Sequence, residues 1–376
     1  YLILFIPTTE IVIQIVQYIL GKMVKPKRLP KMDYSEGIPE NQATFVVIPT
    51  IVGNKEKVRE LVNKLEVYYL ANKSENLYFA ILGDCTSSSK KIEKTDDEVI
   101  EEGKKLIENL NNKYKTESFQ KFHFLYRKRV WNASESVYLG WERKRGLLTQ
   151  FNEFIIKNNK ADFIVNTIDI GKCPFIKYVI TLDADTDLIL NSANKLIGTM
   201  AHILNKPEIK NGRVEKGHAL IQPKVGININ ASRKSLFTQI FAGAGGTDLY
   251  TNAVSDVYQD NFGEGIFTGK GIYDLKIFST VLKNQIPENT VLSHDLLEGN
   301  YLRCGLISDI ELLDGFPSKY LSYINRNHRW VRGDWQITSW LKSERLNKIS
   351  KFKIFDNLRR SLIKPISILG IRSEER

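Results

Sequence analysis

Residues 177–186, with the sequence KYVITLDADT, decide the predicted fold. The run KYVITL lacks the alternation of polar and apolar residues that a strand with one solvated face shows, so it predicts a strand covered on both faces. The runs TFVVIP at 44–49, LYFAILG at 77–83 and KFHFLY at 121–126 have the same character. Strands of this kind are typical of parallel sheets with helices on both faces.

Stretches of helical periodicity separate these strands. The apolar residues of three predicted helices are Val58, Leu61, Val62, Leu65 and Tyr69, then Val99, Gly103, Leu106 and Leu110, then Leu147, Phe151, Phe154 and Ile155. Thr95 and Glu98 form a predicted capping box at the start of the second helix. Repeated βαβ units predict an α/β fold with a doubly wound, mostly parallel sheet. We interpret residues 158–173 as a surface excursion, and the region after Asn191 as loops and helices around one end of the sheet.

The composition limits the possible functions. The chain of 376 residues carries 54 Lys and Arg against 43 Asp and Glu, a formal net charge of +11 that favours nucleic acid, acidic lipid or a phosphorylated substrate as a partner. Three widely spaced cysteines argue against a disulfide framework and against a CxxC metal site. The sequence has neither a GxSxG elbow nor a P-loop lysine motif, which disfavours serine hydrolases and NTPases.

Both ends of the chain are predicted to contact a membrane. Residues 1–20 are largely apolar, but Pro7 and Glu10 disfavour a helix that spans the bilayer, so an interfacial helix is the alternative. The basic cluster that follows predicts the cytoplasmic face of a membrane with anionic lipid, and consists of Lys22, Lys25, Lys27, Arg28 and Lys31. The predicted organisation is a membrane-associated segment at 1–42, a globular domain at 43–345 and an amphipathic interfacial helix at 346–376.

Acidic residues follow two of the predicted strands. Asp84 follows LYFAILG, and Asp183 and Asp185 follow KYVITL. Ligands of open α/β sheets bind at the carboxyl ends of the strands, so these side chains are candidates for one site. Two carboxylates at i and i+2 at the end of a strand suit a divalent cation that bridges phosphate oxygens. A plain turn is the alternative for an isolated Asp-x-Asp tripeptide.

Basic and glycine-rich segments supply further candidates. Residues 141–152 place three basic groups and Gly146 at the entry to a predicted helix, which suits an anion; a solvated basic turn is the alternative. Residues 262–273 carry four glycines in nine residues from Gly263, so the backbone can approach a ligand closely. A flexible connector is the alternative for this segment.

Two motifs lie nearer the end of the sequence. Asp295 begins a predicted helix with Glu298 one turn later, which is the position of either a general base or a partner of the helix dipole. Residues 326–336 combine arginines with tryptophans, and such side chains clamp phosphate and stack on sugars or bases. Nucleic acid is disfavoured as a partner, because the carboxylates after the strands would repel its backbone.

The order and spacing of these motifs resemble those of a known enzyme family. Asp84, Asp183-x-Asp185, Asp295 and Arg326-x-x-Arg329-Trp330 resemble the D, DxD, D, (Q/R)xxRW series of processive inverting glycosyltransferases of the cellulose synthase type. Longer strings are similar to the glycosyltransferase domain of cyclic β-1,2-glucan synthases, glycosyltransferase family 84, and include WNASESVYLGWERKRGLLTQFN, YVITLDADTDL, LIQPKVGIN, VYQDNFGEGIFTGKGIYD, LSHDLLEG, DGFPS and RNHRWVRGDWQ. The resemblance covers nearly the whole chain and implies a GT-A-like fold.

The resemblance also implies a role for each motif. Asp295 would deprotonate an acceptor hydroxyl that attacks UDP-glucose with inversion, and Asp185 would ligate Mg²⁺ or Mn²⁺. The residues implied to bind the donor or stabilise its departing diphosphate are Asp84, Asp183, Lys144, Arg145 and Arg329. The residues implied to contact the growing β-glucan acceptor are Arg326, Trp330 and Gly269.

The resemblance further implies a cellular setting, and rival functions stay open beside it. The family protein is a large enzyme of the bacterial inner membrane that primes its own glucan, so this chain would be a piece of a longer synthase, with residues 346–376 leading toward a further membrane segment. The tyrosines considered for self-glucosylation are Tyr138, Tyr250, Tyr258 and Tyr273. The alternatives are a β-glycan synthase with another nucleotide sugar or linkage, an inactive membrane-surface binding module, and a glycoside hydrolase using Asp295 and Glu298.

Overall fold

A mixed eight-stranded sheet forms the centre of the molecule. A computed structural model describes residues 2–116, 119–158, 162–242 and 256–374. Its strands are β1 (Thr44–Ile51), β2 (Leu77–Asp84), β3 (Phe122–Arg127), β4 (Val130–Asn132), β5 (Val137–Leu139), β6 (Phe163–Asn166), β7 (Tyr178–Thr181), β8 (Glu208–Lys210), β9 (Arg213–Lys216), β10 (Leu220–Ile227), β11 (Gly271–Asp274) and β12 (Gly305–Asp314). The order in the central sheet is β12-β10-β11-β7-β1-β2-β3-β6, and β4-β5 and β8-β9 are separate pairs.

Helices cover both faces of this sheet. They are α1 (Leu2–Met23), α2 (Lys55–Ala71), α3 (Lys94–Lys113), α4 (Arg143–Lys157), α5 (Ser192–Ala201), α6 (Ile229–Ser232), α7 (Leu236–Phe241), α8 (Val257–Phe262), α9 (Leu275–Val281), α10 (Asp295–Tyr301), α11 (Tyr320–Gln336) and α12 (Lys348–Glu374). Buried side chains form two hydrophobic cores, one under α2, α3 and α5 and the other under α4, α9, α10 and α12. The predicted α/β class, with a buried sheet between helical layers, is confirmed.

Strand direction places the candidate site. Strands β12, β10, β7, β1, β2 and β3 run in one direction, whereas β11 and β6 run antiparallel to their neighbours. The prediction of a mostly parallel sheet is therefore confirmed, with two exceptions. In the register of the sheet Ile51 pairs with Asp84 and Val47 pairs with Thr181, so β2 and β7 end at the same edge. Asp84 and the Asp-x-Asp motif accordingly lie along one edge of the sheet.

Three local expectations were wrong. The capping box of α3 joins Glu93 to Asp96, and the helix begins at Lys94, one residue before the threonine that was expected to cap it. Part of the expected surface excursion at 158–173 is the edge strand β6, paired with β3. The region after Asn191 also contributes β10, β11 and β12 to the central sheet. A search for apolar runs misses these strands because polar residues or proline interrupt β10 and β12, β6 and β12 include partly exposed positions, and β11 has only two apolar residues between Gly271 and Asp274.

The two end helices pack against each other through charged as well as apolar side chains. Glu10 of α1 accepts a hydrogen bond of 2.8 Å from Arg359 of α12, which also pairs with Asp356. Apolar side chains of α1 remain exposed, among them Ile11 and Ile15. Within the described ranges, no helix combines the length and the apolar character that crossing a bilayer requires.

Candidate active site

Asp183, just beyond β7, is held by two lysines from different parts of the chain. Lys144, in the first turn of α4, donates from Nζ to Oδ1 of Asp183, and Nζ of Lys270 lies 3.3 Å from Oδ2. Burial opposes the ionisation of Asp183, but the charges of Lys144 and Lys270 outweigh it and lower the pKa of this carboxyl group. Asp183 is therefore a stable carboxylate with a cation on each oxygen.

Asp314, at the end of β12, completes this buried charge cluster. Its carboxylate accepts hydrogen bonds from Nζ of Lys270 and, at 2.5 Å, from Oγ1 of Thr186. Burial opposes the charge on Lys270, but Asp183 and Asp314 more than compensate and raise its pKa to about 12. The cluster ties the turn after β7 to the segment before β11 and to the end of β12.

Asp185 is the exposed member of the Asp-x-Asp motif. Partial desolvation and the negative charges of Asp314 and Asp183 raise the pKa of its carboxyl group above the ordinary value. Arg326 of α11 faces the same charges: burial lowers its pKa, and Asp185 and Asp314 act in the opposite direction. Asp185 thus lies among two further carboxylates and the cations Lys270 and Arg326.

The candidate base, Asp295, is the first residue of α10 and lies beside the glycine-rich segment. At Gly269, whose φ is +89°, an added Cβ would lie 3.1 Å from both carboxylate oxygens of Asp295. Lys144 donates a hydrogen bond of 2.7 Å from Nζ to the carbonyl oxygen of Gly269 while it also contacts Asp183. One lysine thus connects the predicted donor residue Asp183 with the segment that contacts Asp295.

His294 and Glu298 form a buried pair next to this base. The His294 Nδ1 lies 2.9 Å from the Glu298 Oε1 and 3.7 Å from the Asp295 Oδ1. Burial opposes the charge on His294, but the carboxylate of Glu298 and then that of Asp295 raise its pKa above the ordinary value. The ligand atoms of these three residues lie within 4.8 Å of one another, so the group also has the spacing of a metal site.

Helix α11 carries the arginines and tryptophans of the last motif. The guanidinium of Arg326 stacks over the ring of Trp330 at 4.8 Å and over the ring of Phe316 at 5.5 Å. Trp330 is 40% exposed, and Arg329 beside it is also exposed. Gln336, at the end of α11, accepts a hydrogen bond of 2.8 Å from the backbone N–H of Leu292. The helix therefore holds the loop that leads to Asp295.

Asp84 and Arg145, both predicted to bind the donor, already have protein partners. Arg127 donates to both carboxylate oxygens of Asp84, at 2.9 Å and 2.6 Å, and this pair is buried. Arg145 donates to Glu142 at 2.5 Å and to the carbonyl oxygen of Ile286 at 3.1 Å. Asp84 therefore anchors Arg127, and the side chain of Arg145 is turned toward the loop at Ile286.

Comparison with known proteins places the chain. No protein-family model matches it. The chain is 40% identical, over 98% of its length, to cyclic β-(1,2)-glucan synthase NdvB of Rhizobium meliloti (strain 1021). It is a homologue of one part of that synthase. The chain spans 13% of the length of NdvB, so most of that protein has no counterpart in this sequence.

Solved structures with some similarity are sugar-transferring enzymes. One is mannosyl-3-phosphoglycerate synthase from Rubrobacter xylanophilus, with a TM-score of 0.37, 10% identity and coverage of 84% of this chain and 82% of that one. Another is the galactosyltransferase LgtC, with a TM-score of 0.29, 11% identity and coverage of 70% and 72%.

Sequence reasoning missed two central residues of this NdvB homologue and one supporting residue. Lys270 lies among the glycines of residues 262–273 and is the only basic residue of that segment. From the sequence we interpret the segment only for the freedom of its backbone. Asp314 ends a strand that was not predicted. Arg127 directly follows the predicted strand KFHFLY, a position that could have placed it at the same edge of the sheet, but no local pattern identifies it as the partner of Asp84.

Proposed function

We propose that this chain is an inverting glucosyltransferase that uses UDP-glucose to elongate a β-1,2-glucan. The observation that carries the proposal is the link through Lys144, which contacts Asp183 and, through the carbonyl of Gly269, the surroundings of Asp295. A donor site and a base must lie side by side for one-step transfer, since the attacking oxygen and the leaving group share one anomeric carbon. The 40% identity to NdvB supports the choice of substrate.

The donor side of the proposed site carries positive charge for the diphosphate. Lys144, one-quarter exposed, lies at the first turn of α4, where backbone N–H groups add to its charge. Lys144 would contact the departing diphosphate, and Arg329 of α11 would approach it from the opposite side. Asp183 and Asp84 would orient the uridine diphosphate, the latter through the loop that Arg127 holds.

The residues present fit a divalent cation at Asp185. Its carboxylate is exposed and lies among the negative charges of Asp183 and Asp314, and carboxylate and phosphate oxygens are the ligands that Mg²⁺ and Mn²⁺ prefer. When bound there, such an ion supplies positive charge that stabilises the developing negative charge of the leaving group.

Asp295 would act as the general base. It would accept the proton of the acceptor hydroxyl as that oxygen forms a bond to the anomeric carbon and the bond to the UDP oxygen breaks. Attack from the face opposite the leaving group inverts the configuration, which turns an α-linked donor into a β-linked product. Trp330 would stack on the acceptor sugar next to Arg326, and Gly269 would leave room for it beside Asp295.

The proposed setting is the cytoplasmic face of a bacterial inner membrane, within a longer synthase. The exposed apolar side chains of α1 and the basic cluster after it support contact with anionic lipid. Of the tyrosines considered for self-glucosylation, Tyr258 and Tyr273 are buried, Tyr138 is half-buried, and Tyr250 lies outside the described residues. Tyr138 is therefore the most accessible of the three candidates that the structure describes.

The test is metal-dependent transfer from labelled UDP-glucose by the parent chain, Asp185→Asn and Asp295→Asn, with Asp97→Asn on the exposed face of α3 as the control. We expect UDP release and glucan labelling that need metal and both site aspartates. Equal transfer from another nucleotide sugar would instead support a synthase of different specificity. Lipid binding without any UDP release, unchanged in Asp185→Asn, would support an inactive surface module and overturn the proposal.

A further inference from the structure

We propose that Lys270 is a positioning residue that reserves Asp185 for the metal, by occupying the carboxylates of Asp183 and Asp314. This inference rests on the proposed function, which assigns the metal to Asp185. Three carboxylates lie around the turn after β7, those of Asp183, Asp185 and Asp314. A divalent cation has the same intrinsic affinity for each carboxylate. The contacts of Lys270 with Asp183 and Asp314 leave Asp185 as the carboxylate that binds the cation.

Each carboxylate oxygen of Asp183 faces an ammonium group. Lys144 bonds to Oδ1 of Asp183, and Nζ of Lys270 lies 3.3 Å from Oδ2. The carboxylate of Asp314 accepts from Lys270 through Oδ2 and from Thr186 through Oδ1. A cation at either carboxylate would therefore have to compete with an ammonium group that is already in contact with it.

The backbone around Lys270 holds its side chain in this position. Gly269 has φ +89° and Gly271 has φ +152°, conformations that residues with a Cβ rarely adopt. At Gly271 an added Cβ would lie 2.3 Å from the carbonyl oxygen of Ile221 in β10, so the chain is packed directly against that strand. The side chain of Lys270 is only 9% exposed and has little room for another orientation.

The protonation state of Lys270 agrees with this role. Its pKa of about 12 keeps the ammonium group charged throughout the pH range in which the enzyme would work, although burial alone would lower that pKa. Lys270 thus neutralises negative charge of Asp183 and Asp314 throughout that range, and the exposed carboxylate of Asp185 lies next to this cluster.

Binding of Mn²⁺ in the absence of nucleotide, followed by electron paramagnetic resonance, tests this inference without any need for transfer activity. Lys270→Met should bind Mn²⁺ about tenfold more tightly than the parent chain, because two carboxylates lose a shared cation. Lys177→Met is the matched control: it removes an ion pair of 2.7 Å with Asp274 at the opposite end of β7 and should leave Mn²⁺ affinity unchanged. Affinity in Lys270→Met that is unchanged or weaker than in the parent would overturn the proposal.

Two further variants keep the inference testable. If Lys270→Met does not fold, Lys270→Met/Asp314→Asn removes the buried pair together, and its Mn²⁺ affinity should still exceed that of the parent; no increase would count against the inference. Asp185→Asn in the parent separates the two proposals. Loss of Mn²⁺ binding in Asp185→Asn supports the metal site of the proposed function, whereas retained binding overturns that site whatever Lys270→Met shows.

Discussion

The donor side and the base side of the site are assembled in different ways. On the donor side, Asp183 depends on Lys144 from α4 and Lys270 from the segment before β11, which lie 39 and 87 positions away along the chain. On the base side, Asp295 has two neighbours close in the sequence, His294 directly before α10 and Glu298 within α10. The charge of the donor side therefore depends on long-range packing, whereas the charged pair beside Asp295 is set by local spacing.

The largest effect should come from the base side. Asp295→Asn should lower the rate of glucose transfer about 10³-fold, because the amide cannot accept the acceptor proton. Binding of UDP-glucose should change by no more than about twofold, since the donor contacts lie on other elements. Labelled-glucose incorporation and equilibrium binding measure the two quantities. An equal loss of binding and transfer would show that the two sides are not separable.

A smaller effect is expected from the donor side. Asp185→Asn should weaken metal-supported UDP binding about 10²-fold, because the exposed carboxylate is the proposed metal ligand. Calorimetric titration with UDP, with and without Mn²⁺, measures this change. Asp97→Asn should bind like the parent. A loss of UDP binding that is the same without metal would contradict the role of Asp185.

The pair of His294 and Glu298 predicts a pH dependence on the base side. The pKa of His294 is raised in the folded chain, so the pair stabilises the fold fully below the unfolded value of about 6.5 and this stabilisation is lost as pH rises through the folded pKa. Glu298→Gln should therefore lower the free energy of unfolding by about 2 kcal/mol at pH 6 and by less at pH 9.

Urea denaturation at the two pH values checks this prediction, with the exposed Glu288→Gln as the control. If Glu298→Gln lowered the free energy of unfolding more at pH 9 than at pH 6, His294 would be neutral in the folded chain.

The smallest effect is expected from the contact between α1 and α12, which lies outside the donor side and the base side. Glu10→Gln removes one partner of Arg359, which keeps its contact with Asp356. We expect a loss of stability of about 1 kcal/mol or less, because the remaining carboxylate still pairs with the guanidinium. Thermal unfolding measures this loss. Transfer activity that fell with stability unchanged would instead connect α1 to the site.

The sheet was predictable where its strands are long and fully buried. The runs that became β1, β2, β3 and β7 each contain at least four buried residues in succession, and this is what an apolar run reports. The strand β11 is as fully buried as β7, but its sequence GIYD places only Ile272 and Tyr273 between Gly271 and Asp274, and β12 alternates in burial, so neither sequence forms an apolar run. Half of the sheet therefore depends on pairing that no local pattern reveals.

The residues of the candidate site also divide into those that local sequence predicts and those that only tertiary packing places. Asp183 and Asp185 lie just after strand β7, and Asp295 lies at the start of helix α10, as motif spacing predicted. The roles of Asp84 and Arg145 were harder to predict, because their partners are fixed only by tertiary packing. The roles of Lys270 and Asp314 could not be predicted for the same reason. Lys270 is placed by the backbone conformation of Gly269 and Gly271, and Asp314 is placed by the end of β12.

Arg127 has a consequence for protein engineering. Besides its pair with Asp84, it donates to the carbonyl oxygens of Trp141 and Arg143, each at 2.7 Å, and so fixes the segment that delivers Lys144. An attempt to change sugar specificity by exchanging residues 140–146 with those of a relative would place a foreign loop on this guanidinium. Chimeras that transfer Asp84, Arg127 and the loop as one module should fold and bind nucleotide, whereas exchange of the loop alone should fail.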